Sequence, residues 1–205
     1  SDESEQLIVF EVDHEEYAVP ITEIREVVEI PDITPVPDSL PFVVGIMNLR
    51  GKIVPVLDLE KRLSLTRESP GKSKHILIAE YESGLIGVVV DHVKEVLKIT
   101  KKMIQPTPAM ITSKVAAEFL NGLVVIASKP NTAQHNSEEA SQSAVEAPPQ
   151  ATRVLLLLEL KKILTAEQFD SLQQSSASLA STPETVSSAE SKPPAENIKE
   201  REPQP

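Results

Sequence analysis

Apolar residues recur along this chain in short blocks of strand length, each closed by a few polar residues or a glycine. Blocks at 7–12 (LIVFEV) and 16–20 (EYAVP) predict two strands joined across DHE. Residues 24–30 (IREVVEI) predict a third strand, or a helical turn running into one. Residues 43–49 and 53–57 are set to pair across Arg50-Gly51-Lys52. Residues 75–81 and 85–90 are set to pair across ESG, with 93–99 following; 119–127 and 153–158 supply the last two blocks. Alternating or continuous apolar runs of about four to eight residues, bounded by turn residues, are the pattern of half-buried or fully buried strands. Helical patterning is brief. It is confined to DLEKRLSL after Leu57 and to ELKKILTAEQFDSL, where Thr165 and Gln168 have capping-box spacing.

Two stretches break the pattern. Residues 128–152 and 173–205 are polar and rich in Ser and Pro, with few large apolar side chains. Neither can bury enough surface to offset the entropy of ordering. The first is expected to be a disordered inserted loop and the second a disordered tail. With residues 1–6 as a flexible N-terminus, one domain spans 7–172. No run nears the roughly 18 apolar residues that span a bilayer. The opening SDESEQ has neither the basic start nor the apolar run of a signal peptide.

Composition sharpens this. Without Trp, and with two Tyr and four Phe, the core must be aliphatic, which favours strands. Zero Cys excludes disulfides, thiolate metal sites and a cysteine nucleophile, and fits a reducing compartment. A net charge of −11 argues against nucleic acid as a partner. Many short strands separated by turn signals point to a barrel or sandwich.

The chain also matches itself. Residues 17–37 align without a gap to 86–106, an offset of 69 (86 − 17), with identities at Val19/Val88, Glu26/Glu95, Val27/Val96, Ile30/Ile99 and Pro37/Pro106. Residues 52–64 align to 153–165, an offset of 101 (153 − 52), pairing Leu57, Leu59, Lys61 and Leu63 with Leu158, Leu160, Lys162 and Leu164. Two similar β-lobes, each ending in a strand and a short helix, would leave a groove between them.

Candidate chemistry is sparse. His14 and His92 each close a Val-Asp-His triplet, but neither has a third ligand at suitable spacing. His75 opens a strand, and His135 lies in the inserted loop. An enzyme or small-ligand site using Asp91 and His92 in the groove is one reading; a strand leaving the core through polar residues is the other. There is no G-x-S-x-G elbow and no glycine-rich loop before a helix. Arg50 is the unusual residue, because tight turns favour Gly, Asn or Asp. The second lobe replaces its turn with the long insertion, so folding does not require Arg-Gly. A loop arginine held by two strands can instead contact a partner bidentately.

The strings EYAVPITEIREVVEI, VVGIMNLRGKIVPVLDLEKRL, GLIGVVVDHVKEVL, QPTP and EFLNGLVVI…RVLLLLELKKIL, in that order over about 7–172, resemble the CheW family of chemotaxis adaptor proteins. The resemblance implies a mainly β fold of two tandem SH3-like five-stranded β-barrel lobes with a few short helices. It implies no catalysis and no cofactor or metal. It implies a cytoplasmic scaffold that bridges a methyl-accepting chemoreceptor tip to the regulatory domain of a CheA-type histidine kinase. Such a protein would be a monomer alone and would join membrane-bound receptor arrays through its partners. Positions matching the receptor-facing surface are Ile24, Glu26, Gly45, Arg50, Val93 and Val96. Kinase contacts would lie at the barrel ends, without residue assignments. The insertion and tail depart from the family pattern, which leaves a specialised pathway controlling pili, gliding or phototaxis as the alternative to flagellar chemotaxis.

Overall fold

In the computed structural model, the described residues are 3–65, 75–112, 117–127 and 152–180. The chain forms strands β1 (Ser4–Val12), β2 (Glu15–Pro20), β3 (Ile24–Glu29), β4 (Val43–Leu49) and β5 (Lys52–Asp58), then helix α1 (Leu59–Arg62). It continues with β6 (His75–Tyr81), β7 (Gly84–Val90), β8 (His92–Thr100), β9 (Ile104–Gln105), α2 (Ala109–Thr112), β10 (Leu120–Ala127), β11 (Thr152–Leu158) and α3 (Ala166–Ala180). The three expected hairpins form, β1–β2, β4–β5 and β6–β7, and β10 pairs antiparallel with β11.

The strands make two sheets, ordered β8-β1-β2-β11-β10-β9 and β3-β6-β7-β5-β4. Replacing β1, β2, β3, β4 and β5 by β6, β7, β8, β10 and β11, and the reverse, turns one order into the other, apart from the short β9. The repeat holds at single-residue register. Phe10 faces Val93 across β1–β8, and Ala79 faces Ile24 across β6–β3, each at the start of a bulge. Both pairs are related by the offset of 69 (79 − 10 and 93 − 24). The parallel pairs Leu157↔Ala18 and Val56↔Gly87 are related by 101 and 69 in the same way.

The two barrels exchange strands between the sequence repeats. Barrel A takes β1 and β2 from the first repeat and β8 to β11 from the second; barrel B takes β3 to β5 from the first and β6 and β7 from the second. The local pattern gives each strand its faces but not its partner, so it could not show this exchange.

Each barrel closes through a bent third strand. In barrel A, β8 passes through a turn of 3₁₀ helix (Lys101–Met103) into β9, which pairs with β10 at the far edge. In barrel B, the chain after β3 brings Thr34 onto β4, where it exchanges backbone hydrogen bonds of 2.9 and 2.8 Å with Ile46. Leu123, the counterpart of Ile46, faces Gln105. Thr34 therefore corresponds to Gln105, and Pro35, rather than Pro37, corresponds to Pro106. The gap-free alignment slips by two residues in this turn.

Closure explains two glycines. Gly45 (φ +155°) and Gly122 (φ +121°) sit at equivalent bulges of β4 and β10. A Cβ on Gly45 would lie 2.2 Å from the Thr34 carbonyl oxygen, and one on Gly122 2.7 Å from that of Gln105.

Three apolar cores result. Leu7, Val9, Val124, Leu155 and Leu157 fill barrel A, and Val54, Val56, Ile76, Ile78 and Leu85 fill barrel B. The largest lies between the barrels and includes Phe10, Tyr17, Val19, Leu77, Ile86 and Val88. α3 joins this layer through Phe169, whose ring lies 4.8 Å from that of Tyr81, and through Leu172. Its start is capped as expected. The Gln168 amide donates to Thr165 Oγ1 at 3.2 Å, and the Thr165 amide donates to Gln168 Oε1 at 3.0 Å.

Three expected boundaries move. β1 begins at Ser4, inside the stretch expected to be flexible, because Ser4, Glu5 and Gln6 pair with Thr100, Ile99 and Lys98. Thr152 opens β11 opposite Ala127 instead of ending the insertion. α3 runs through Ala180, past the expected tail boundary at 173. Its row Phe169, Leu172 and Ser176 is buried, which a Ser- and Gln-rich composition conceals. The remainder of the two expected disordered stretches, 128–151 and 181–205, lies outside the described residues.

Gly45→Ala should lower stability by roughly 3 kcal/mol or more, since backbone must move. Gly51→Ala has nothing within 4 Å of the new Cβ and should cost only about 1 kcal/mol, for a left-handed alanine. Urea midpoints at unchanged m-value measure both.

Candidate functional site

Leu49 pairs with Lys52, which leaves Arg50 and Gly51 as a two-residue turn. Both have positive φ, +49° and +83°, which is the primed geometry that suits strand twist. Gly51 adopts it freely. Arg50 does so at a cost of about 1 kcal/mol. Two contacts hold the turn. Asn48 Oδ1 accepts the Gly51 amide at 2.8 Å, and both terminal nitrogens of Arg50 donate to the two Glu26 carboxylate oxygens at 2.8 and 2.5 Å. Glu26 is on β3 and Arg50 follows β4, at opposite edges of the five-strand order. Their contact spans the closing seam of barrel B. The Arg50 side chain keeps 72% of its surface exposed while that of Glu26 keeps 23%, so the fork remains open to a partner.

Ile24 and Val93 lie near the starts of their strands at the matching bulges, half-buried against the central layer. Val96 faces Ile8 across β8–β1 and is 53% exposed; its counterpart Val27, opposite Leu77, is 38% exposed. Of the six expected site residues, Glu26 and Arg50 meet directly, and Ile24 shares their barrel. Val93 and Val96 belong to barrel A. Gly45 is buried beneath Thr34 and presents no side chain; its role is closure.

Sequence reasoning missed the equivalent seam of barrel A. There Arg153 pairs with Glu95, the counterpart of Glu26, at 2.7 Å, and donates to Glu16 at 3.0 and 2.8 Å. Lys94 joins through Glu11 (2.8 Å) and Glu16 (3.1 Å). The Lys94–Glu11 contact repeats Arg25–Glu80 of barrel B at the same offset. The Glu26/Glu95 identity in the repeat was the available signal. Hydrogen bonding from Arg153 and Lys94 outweighs burial and holds the Glu16 carboxyl below the usual glutamate range. A second linkage sits where the repeats meet. The Arg62 guanidinium lies 4.6 Å from the ring centres of both Phe42 and Phe119 and donates from Nε to the Ile163 carbonyl at 2.6 Å.

The Asp91–His92 reading fares differently. Asp91 is buried, its carboxylate accepts the Asp13 amide at 2.9 Å, and its own amide donates to the Glu11 carbonyl at 3.0 Å. It fastens the β1–β2 turn to the β7–β8 corner. His14 projects outward, and among the described residues no three His, Cys, Asp or Glu are grouped to hold a metal.

A family profile described as the CheW-like domain matches residues 6–168. The chain belongs to the CheW-like domain family. This CheW-like chain is 33% identical over 121 residues to the probable chemotaxis protein CheW of Rhizobium etli, covering 59% of this chain and 77% of that one. It is 39% identical over 102 residues to the chemotaxis protein CheW of Thermotoga maritima, covering 50% and 67%. The crystal structure of the scaffolding protein TtCheW from Thermoanaerobacter tengcongensis superposes with a TM-score of 0.62 at 26% identity, covering 82% of this chain and 92% of that one. The paired barrels of the CheW-like fold are therefore present. Helix α3 runs beyond the end of the family match.

A carboxyl depressed by folding stabilises fully where the unfolded glutamate is also ionised, above about pH 4.3. That stabilisation is lost as pH falls through the lower folded value. Glu16→Gln should thus be less stable than the parent near neutral pH, with the gap narrowing below about pH 4, read from urea midpoints across a pH series.

Proposed function

We propose that this protein is a non-enzymatic adaptor that couples the cytoplasmic tip of a chemoreceptor to the regulatory domain of a CheA-type histidine kinase. Family membership supports the scaffold role, and the observation that carries the surface is the exposed Arg50 fork on the barrel B seam. Its guanidinium is aimed by Glu26 and sits on a turn braced by two strands, so a partner carboxylate or carbonyl meets a pre-oriented donor. Ile24, Val93 and Val96 supply apolar area, and Gly45 supports the hairpin from beneath. Such an interface is modest in area, and an array of many copies supplies the avidity. Work in the cytoplasm is part of this reading; among the described residues no helix is long and apolar enough to cross a membrane.

The pair allows closure and recognition to be separated. Exposed ion pairs contribute about 1 kcal/mol or less, so Arg50→Glu should shift the melt only slightly while abolishing co-purification with receptor and kinase. The double variant Glu26→Arg with Arg50→Glu restores a seam pair of reversed polarity. It should recover the melt and still fail to bind. Normal binding by the double variant would confine Arg50 to closure.

A further inference from the structure

Arg62 sits where equivalent parts of the two repeats face each other. Phe42, just before β4, and Phe119, just before β10, are separated by the same 77 residues as Gly45 and Gly122 (119 − 42 and 122 − 45). Their carbonyls accept equivalent amides, from Asp58 at 2.8 Å and from Glu159 at 2.9 Å. Phe42 leads into barrel B and Phe119 into barrel A. The Arg62 guanidinium lies over both rings, 4.6 Å from each centre. Its own counterpart, by the offset of 101 (163 − 62), is Ile163, and the Ile163 carbonyl accepts from Arg62 Nε at 2.6 Å. The second repeat therefore has no side-chain donor at this position, and one arginine serves both copies. The next carbonyl, that of Leu164, accepts the Tyr81 hydroxyl at 2.6 Å. Two consecutive carbonyls after β11 are thus held by donors from the barrel B side.

We propose that Arg62 is a positioning residue that sets the angle between the barrels, and through it the alignment of the receptor-facing surface. The second half rests on the adaptor reading, in which that surface draws Ile24, Glu26 and Arg50 from barrel B and Val93 and Val96 from barrel A. The apolar layer between the barrels resists their separation, but apolar attraction is non-directional and does not choose among small slides or rotations. Arg62 adds direction. A planar guanidinium that lies over two ring faces and also donates from Nε is satisfied in one arrangement of its three partners. Moving one barrel on the other takes Phe119 off the guanidinium and draws the Ile163 carbonyl away from Nε. The chain crosses between the barrels elsewhere, at Ile21–Glu23 and at Asp91, so Arg62 is a tie additional to the backbone. Lysine cannot take its place, because an ammonium is a point charge with neither the flat face nor the Nε donor.

The test is a set of backbone amide residual dipolar couplings on the full chain in weak alignment. In the parent, one alignment tensor should fit β4–β5 and β10–β11 together. In Arg62→Met, each strand pair should still fit a tensor of its own while the joint parent geometry fails, and the thermal melt should stay a single transition. Arg62→Lys should fail the joint fit too, and carries the comparison if Arg62→Met does not fold. Receptor affinity should fall about tenfold in both variants at a temperature where both are folded. A joint fit as good as the parent's would overturn the proposal. Weaker receptor binding with an unchanged fit would make Arg62 a contact residue instead, and a changed fit with full binding would sever the barrel angle from the receptor surface. A parent that binds no receptor would overturn the adaptor reading and that link with it, while the couplings, which need no partner, still decide the angle.

Discussion

Four strands buried on both faces hold everything else in place. In β1, Leu7 and Val9 point into barrel A, while Ile8, Phe10 and Val12 point into the layer between the barrels. In β6, Ile76 and Ile78 fill barrel B, while Leu77, Ala79 and Tyr81 face the same central layer. β2 and β7 do likewise. A strand with no solvent face cannot alternate polar and apolar residues, which is why LIVFEV and GLIGVVV read as continuous apolar blocks. It also leaves little room where strands crowd. Ala18 and Gly87 hold the equivalent positions opposite Leu157 and Val56, and a Cβ on Gly87 would come within 2.9 Å of Ile76 Cγ2.

From that shared layer the exchange of strands between repeats follows as a packing solution. Each repeat's hairpin of doubly buried strands belongs to one barrel, and its later strands complete the other. Neither barrel can be removed without cutting the chain that connects the strands of its neighbour and exposing the shared apolar layer, so the two should unfold as one cooperative unit.

Strand existence, hairpin pairing, the capping box and the repeat were all legible because each depends on residues close in sequence or on identities at a fixed offset. The exchange was not, since Ile24 pairs with Ala79 and Phe10 with Val93, partners no local periodicity encodes. The extent of α3 was hidden for a related reason. Ser176 is buried because the helix lies over β5 and the β6–β7 turn, not because serine is apolar. At the candidate site, Arg50 stood out through its conflict with turn propensity, but its aim depends on Glu26, 24 residues away in sequence and at the far edge of the sheet order. Gly45 was marked by resemblance alone, and its geometry assigns it to closure.

Duplicated barrels make difference informative. Positions that both copies need for closure stay alike: Glu26 and Glu95 at the seams, Gly45 and Gly122 at the bulges, and a basic residue at 25 and 94. Where the copies diverge, a local physical reason is visible. Phe10 and Tyr17 stack at 6.1 Å on one side of the central layer, where Ala79 and Ile86 stand on the other, so bulk on one hairpin is matched by space on its twin. Gly84 leaves room for α3, since a Cβ there would lie 2.9 Å from Gln173 Nε2 and Phe169 Cζ, where the other copy has Glu15. Arg50 occupies a two-residue turn in one barrel, and Arg153 on β11 serves the other seam. Barrel A can thus spend its arginine on a half-buried network with Glu16, Glu95 and Lys94, whereas barrel B leaves its arginine on the rim. Both seams carry an arginine on a carboxylate, and Arg50 keeps far more of its surface in solvent than Arg153 does.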